Sequence, residues 1–442
     1  MGMYDSTDPA DDIAVNRTIG CRRIHIGPRH LARAETIDYY FGGPFRLRDN
    51  LAMSADEHRR IVTLLGLVQR AVDESGPFIE AEGLPRDVFD PQNQWTIMLQ
   101  DGGINRSIYL PFRQPGEASV GSTMRPRDAY NNLNWTRILS PFSGYYLAYL
   151  DRLDQGGLFP QPYPHDVLER IWSDVLPDDL PDIMESHLDH HQRLAHVPEQ
   201  HFLAIRNMPS DLVVGALPRG GEVGLMIDGR VVNPDTLRVQ GRINAMYSGG
   251  LIGLLREKAE RTGRRIRVLE IGPGHGGLAR ALSGIFRDRI EYMMVDLPPM
   301  IHYAAVYLSL AGIDVDVAAP RRLPDTGASH WLVPNYLLPH LADDLPPFDL
   351  VINTMSMNEM SAAQVHYYAT LIHRLLAPDG VFYEENAVGL GGHVDCRAEF
   401  QKLFRFRRHI RSFHVAAGLG QPFVWSVNYI PRIFDRWDWS LP

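Results

Sequence analysis

Residues 266–277 read Ile266-Arg-Val-Leu-Glu-Ile-Gly-Pro-Gly-His-Gly-Gly277, an apolar strand that reaches an acidic residue and runs into a glycine-dense turn. Gly272, Gly274 and Gly276 alternate with other residues, which allows positive φ and leaves bare main chain for a ligand to approach. A helix starting near Gly277 would point its free N–H groups and its positive dipole end at that ligand. Further on, Glu291-Tyr-Met-Met-Val-Asp296 is a second apolar strand closed by a carboxylate that can accept both hydroxyls of a ribose. Strand, glycine turn, helix, strand and acid, in that order, predict the nucleotide-binding half of a doubly wound α/β sheet.

Gly272, Gly274 and Gly277 also satisfy G-x-G-x-x-G, so the glycines alone leave a dinucleotide open as the ligand. Glu270 and the downstream strand Phe348-Asp-Leu-Val-Ile-Asn353 favour S-adenosylmethionine instead. A carboxylate just before the turn suits the ammonium at the methionine end of that cofactor and repels a pyrophosphate. Val268–Gly277, Asp296 and the run Phe348-Asp-Leu-Val-Ile-Asn-Thr-Met-Ser-Met-Asn-Glu-Met360 resemble class I S-adenosylmethionine-dependent methyltransferases, and within them a family of sugar O-methyltransferases. Ser356-Met-Asn-Glu-Met360 is the more specific sign, and Asn233-Pro-Asp-Thr-Leu-Arg238 with its following helix is also similar to that family. The resemblance covers residues 230–390. It implies a Rossmann-like sheet, mostly parallel with its last strand antiparallel, S-adenosylmethionine as cofactor, and methyl transfer to a hydroxyl of a sugar or glycosylated small molecule in natural product biosynthesis. The cofactor is expected on Glu270, Gly272, Gly274, His275, Gly276, Asp296, Leu297, Asn353 and Ser356.

At 442 residues the chain exceeds what one core usually organises. Three spans are expected: a loose tail over 1–18, a mixed, largely helical N-terminal domain over 19–230 that serves the acceptor pocket, and the Rossmann-like domain over 231–442. A formal charge of −9 with no basic block argues against nucleic acid, and a small-molecule acceptor fits better. Cys21 and Cys396 alone exclude a disulfide scaffold and a cysteine-rich zinc module. With no long apolar run and a polar, acidic start, neither a membrane partner nor secretion is expected, and the protein is read as cytoplasmic. Self-association stays open.

Ile61, Leu64, Leu65, Val68 and Ala71 recur at three and four, predicting an amphipathic helix over 55–72 that Ser54 is placed to cap. The Pro- and Gly-rich stretch 77–135 reads as short strands and loops, and 142–153 and 165–196 as helical. Asp228-Gly229 sets a hairpin within 223–232, and one helix is expected from Pro234 to Thr262 with Gly263 as its stop. Ile313–Val317 and His330–Val333 compete as the next strand. From Phe348 the reading is strand 348–353, helix 361–376, strand 381–386, helix 395–409 and a final apolar pair around 411–430.

A hydroxyl acceptor must lose a proton, so a base within hydrogen-bond reach or a metal is required. In open α/β sheets ligands gather beyond the carboxyl ends of the strands, which nominates Asn353–Met360. Ser361 and Gln364 fit a capping box for the next helix, leaving Glu359 to face the cleft as general base or hydroxyl binder. The plainer alternative is that Glu359 only favours the helix's positive end. His330 and His366 compete for the base role. His187 and His191 share a helical face at metal-binding spacing but show no third ligand, so a solvated face is favoured and no metal is assigned. Tyr145, Tyr146 and Tyr149 at helical spacing read as core rather than a sugar-stacking wall, and Arg405-Phe-Arg-Arg408 as one face of a helix. Two alternatives stand beside the O-methyl reading: an N- or C-methyltransferase on an amino-sugar, nucleoside or peptide-like metabolite, and, from another class, an NAD-dependent oxidoreductase.

Overall fold

The computed structural model describes residues 21–25, 36–40, 55–91, 196–217, 224–232, 234–320, 328–386, 394–409 and 431–436. The chain separates into two compact units, each built from two stretches: Met1–Val62 with Gly103–Gln240, and Thr63–Gly102 with Gly241–Pro442. Among the described residues no helix is long and apolar enough to cross a membrane. Ser54, the segments 95–195 with their aromatic and histidine clusters, and 411–430 lie outside the described residues.

In the first unit, β1 (Cys21–His25), β2 (Thr36–Tyr40), β3 (Gly224–Ile227) and β4 (Arg230–Val232) form an antiparallel sheet in the order β1-β2-β3-β4. The β3–β4 hairpin turns where expected: Asp228 and Gly229 both have positive φ, 48° and 73°, the pairing that matches the right-handed twist of adjoining strands. Helix α3 (His196–Ile205) belongs to the same unit. The amphipathic helix α1 (Ala55–Ala81) is longer than its periodicity suggested and runs through Pro77. It continues because Phe78 and Ile79 keep an apolar face on the core of the second unit. Helix α2 (Arg86–Phe89) follows, so 77–81 and 86–89 are helical, joined by a turn over 82–85, rather than strand and loop.

Two helices precede the second unit's sheet where one was expected: α4 (Pro234–Ser248) and α5 (Leu251–Thr262). Gly250, at φ 77°, breaks the run, because a left-handed residue cannot continue a right-handed helix. Gly263 stops α5 as read from the sequence, its N–H donating to Ala259 O.

The sheet then alternates with helices: β5 (Ile266–Ile271), α6 (Gly277–Phe286), β6 (Ile290–Asp296), α7 (Pro298–Leu310), β7 (Val315–Val317), β8 (His330–Pro334), α8 (Leu338–Leu341), β9 (Phe348–Thr354), α9 (Ala362–Leu375) and β10 (Leu376–Glu385). Short α10 (Cys396–Phe400), β11 (Phe404–His409) and β12 (Arg432–Arg436) complete it. The strand order is β11-β12-β10-β9-β5-β6-β8-β7. β7 to β10 together with β5 and β6 pair in parallel, while β12, the last strand, inserts antiparallel between β10 and β11. This is the Rossmann-like sheet with an antiparallel last strand that the resemblance implies.

All six residues of β5 and all seven of β9 are buried, as central parallel strands covered on both faces must be. Both competing segments in 313–333 are strands, since β7 needs the edge place beside β8. The helix expected over 395–409 ends at Phe400; Phe404–His409 is strand β11, and Arg405-Phe-Arg-Arg408 therefore lies on a sheet edge rather than a helix. There the Phe-Arg alternation has the period of a strand, and β12 supplies its ladder.

Candidate functional site

The glycine turn joins β5 to α6, and its three alternate glycines serve three different purposes. At Gly272 (φ 73°) a Cβ would overlap the side chain of Ser356, so the bare Cα admits the loop after β9 rather than a ligand. At Gly274 (φ 57°) nothing stands within 4 Å of where a Cβ would be, and this is the position open to a ligand. Gly276 (φ 85°) is the N-cap of α6, where a Cβ would press Leu308 of α7 at 3.2–3.3 Å. No side chain caps the first turn of α6, so its backbone donors are presented toward the turn. His275 packs edge-on against Tyr307 with ring centroids 4.8 Å apart.

Asp296 closes β6 directly beside this turn. Its carboxylate accepts from the Gly274 N–H at 3.3 Å and from the Leu297 N–H at 2.8 Å. Burial pushes its pKa up to about 7 against those two bonds, and the negative charges of Glu270 and Glu359 push the same way. Asp296 is half-buried by surface area, and the two neighbouring carboxylates reinforce the upward shift. Three acids thus converge on the carboxyl ends of β5, β6 and β9. Such a cluster favours a ligand that brings positive charge.

Glu270 itself is sealed, only 1% exposed, and accepts from Tyr292 OH at 2.7 Å. Burial raises its pKa to about 7, while Tyr292 and Arg242 pull it down. Its carboxylate is held inside the protein by Tyr292. Strand alternation turns Leu269 and Ile271 into the main apolar core and sends Glu270 to the opposite face, near Arg242 of α4.

Asn353 is likewise held within the protein. It is fully buried, and its amide is consumed within the protein: Nδ2 donates to Ile271 O at 2.8 Å and to Ser356 Oγ at 2.5 Å, while Oδ1 accepts from Asn386 Nδ2 at 2.7 Å. Ser356 Oγ also donates to Ile271 O at 3.3 Å. Both residues fasten the β9 loop to the glycine turn.

Glu359 ends a 3₁₀ turn over Met357–Glu359 and is half-buried, within electrostatic reach of Asp296. The capping box expected after it is present, with Ser361 and Gln364 satisfying each other's backbone N–H, so α9 does not need Glu359 as a cap. Met355, just before, holds φ 64° without being glycine, a strained conformation kept by its N–H donating to Glu385 O at 2.8 Å.

Neither competing histidine reaches the cleft. His330 begins β8 beside Tyr292, four residues back from the Asp296–Pro334 end of the same ladder, or about 13 Å along the strand. There it bonds Ser283 Oγ at 2.6 Å and Ser329 Oγ at 2.9 Å, and burial lowers its pKa to about 4. His366 lies on the exposed face of α9 and pairs with Glu399 at 3.2 Å, while its neighbour Val365 takes the buried face.

Two residues at the cleft end were missed. Asn335, directly after β8, donates to Phe89 O at 3.0 Å, and Tyr368 of α9 hydrogen-bonds Asn335 and lies near Asp296. Gln364 Nε2 donates to Val88 O at 2.9 Å, so α2 is tied to the loop after β8 and to the first turn of α9. The carboxyl-end rule, applied to every parallel strand, would have nominated Asn335 and Asn386.

No family model matches the chain, and no curated protein does. Solved structures similar to it include a TehB-like SAM-dependent methyltransferase from Corynebacterium glutamicum, 17% identical over 46% of this chain and all of that one, at a TM-score of 0.27. The mitomycin 7-O-methyltransferase MmcR is 13% identical over 46% of this chain and 58% of that one, at 0.28. The glycopeptide N-methyltransferase MtfA complexed with sinefungin is 18% identical over 42% and 94%, also at 0.28.

Proposed function

We propose that this protein is an S-adenosylmethionine-dependent methyltransferase that acts on a hydroxyl of a sugar or glycosylated small molecule. The observation that carries the reading is the placement of Asp296. Its carboxylate lies at a strand tip beside the open Cα of Gly274, with Glu270 and Glu359 adding negative charge around it. A ribose diol satisfies such a carboxylate, and a sulfonium with its ammonium relieves the acidic cluster, whereas a pyrophosphate adds charge of the wrong sign.

The residues present fit the cofactor. Asp296 would hold the ribose, the Gly274–Gly276 backbone and the uncapped start of α6 would lie along the methionine end, and bound cofactor supplies an activated methyl group on sulfur. Glu359 is the group on the acceptor side. Its carboxylate orients the acceptor hydroxyl and takes the proton that oxygen gives up. The strained turn at Met355 and the capping box of α9 hold Glu359 from both sides, which limits the reorganisation needed on acceptor binding.

Titration calorimetry with S-adenosylhomocysteine against NAD tests the cofactor: heat with the first and none with the second is expected, and the reverse sinks the proposal. Incubation with S-adenosylmethionine and a panel of glycosides and aminoglycosides, read by mass spectrometry for one added methyl, tests the acceptor class. Methylation confined to amines or carbon would replace the hydroxyl reading.

A further inference from the structure

A buried polar chain of the second unit links β12 to the glycine turn. At its outer end Arg432 of β12 pairs with Glu384 Oε1 of β10, both sealed from solvent. Glu384 Oε2 accepts from the backbone N–H and from Nδ2 of Asn386, each at 3.0 Å. The same Nδ2 donates to Asn353 Oδ1 at 2.7 Å, and Asn386 Oδ1 faces the Asn358 N–H at 3.3 Å.

Every amide in this chain has one workable orientation. A carboxylate paired with arginine can only accept, and the Asn358 N–H can only donate, so Asn386 must direct Nδ2 toward Glu384 and Asn353. Asn353 then has its oxygen used and directs Nδ2 at Ile271 O and Ser356 Oγ. Donation therefore spreads from Asn386, back to Glu384 and forward through Asn353 to the Ser356 hydroxyl. That hydroxyl sits in the space left by the missing side chain of Gly272.

We infer that Asn386, Asn353 and Ser356 are positioning residues, which lock the Glu359 loop to the glycine turn and set the shape of the cofactor side of the cleft from the ion pair between β10 and β12. Glu359 is carried by this loop: its N–H donates to Ser356 O at 3.2 Å, and the Asn358 carbonyl accepts from Val394 N–H at 3.0 Å. A shift of Ser356 moves both the turn and the acidic group together, because the two share one contact.

This role rests on reading the glycine turn as a methyl-donor site, and the two ideas are separable. Gly272→Ala, Ser356→Gly, their combination, Ser356→Ala and Asn386→Asp are compared by calorimetric titration with S-adenosylhomocysteine and by melting temperature. Gly272→Ala should lower affinity by about thirty-fold or more, through both the positive φ and the overlap with Ser356. The combination with Ser356→Gly should bind about ten-fold better than Gly272→Ala alone, since the overlap is gone and only the φ strain remains. Asn386→Asp, which keeps the shape and reverses one donor, should cost about ten-fold, and Ser356→Ala about five-fold. Losses that simply multiply in the combined variant, or wild-type affinity in Asn386→Asp or Ser356→Ala, overturn the relay. If the wild-type protein binds no S-adenosylhomocysteine, the functional reading fails by itself; the melting temperatures then decide, with coupling between Gly272→Ala and Ser356→Gly sustaining the relay and additivity ending it.

Discussion

Replacing Asp296 by asparagine should weaken ligand binding and strengthen the fold at the same time. The carboxylate's pKa is lifted from 3.8 to about 7, with burial the largest cause, so the folded chain holds its proton far longer than the unfolded one. For an acid shifted upward, the stability it allows is complete below 3.8, declines as pH rises through the interval to about 7, and stays low above it. At about 1.4 kcal/mol per unit the ceiling on that penalty is about 4 kcal/mol, and because Asp296 is half-buried, screening by water leaves about 1–2 kcal/mol. An amide keeps one acceptor for the Leu297 N–H, loses the second one facing Gly274, and carries no charge to bury. Asp296→Asn should therefore melt a few degrees higher at about pH 8 and show no gain at about pH 4. Affinity moves the other way. A ribose diol would lose a charged acceptor, at about 1.5–3 kcal/mol, or roughly ten- to hundred-fold in S-adenosylhomocysteine binding. Differential scanning calorimetry and titration calorimetry on the same preparations read both signs. Unchanged affinity refutes the ribose assignment, and a lower melting temperature at pH 8 refutes the account of the buried charge.

Asp349, fully buried at the start of β9, bonds Arg264 through two contacts of 2.7 Å, Lys258 Nζ at 2.7 Å and the Arg267 N–H at 2.9 Å. Asp349→Ala should cost about 1–3 kcal/mol by leaving the buried Arg267 N–H without its acceptor and Lys258 with Asp379 alone, read by urea unfolding, with S-adenosylhomocysteine affinity unchanged because this is the amino end of the sheet. The pKa of Asp349 is held below 3.8 by its cationic partners and the Arg267 N–H against the opposing effect of burial, so the stability it adds is present above 3.8 and is lost as pH falls through the lowered value. Glu359→Gln should reduce transfer to an acceptor found in the glycoside screen by about a hundred-fold while cofactor affinity holds; an unaltered rate removes Glu359 from the chemistry. His330→Ala should lower the melting temperature by breaking its bonds to Ser283 and Ser329 and leave transfer intact, and a catalytic loss would place it back in the mechanism.

The histidines show why site reading from sequence overreached. His330 belongs to a parallel strand, but sequence does not say which end of the strand faces the cleft until neighbouring strands set the register. His366 sits one residue from buried Val365, and one step along a helix is enough to turn a side chain from core to water. The protein partners of Glu270 and Asn353, Tyr292 and Asn386, were not legible, since strand alternation and pairing between strands set them.

Local chemistry alone specified the glycine turn, Asp296 at the next strand tip, the Asp228-Gly229 hairpin, the Gly263 stop and the Ser361–Gln364 capping box, because each depends on φ preference or on bonds within a few residues. The antiparallel last strand agreed with the family resemblance, although its residue range did not. Tertiary structure decided what those pieces face: Gly272 against Ser356, Glu270 against Tyr292, α2 against the loop after β8 and the first turn of α9, and the relay from Arg432 to Ile271. Apart from the short steps inside the relay, these contacts join residues 22 to 276 positions apart, a separation at which periodicity and spacing carry no signal and only packing selects the partner.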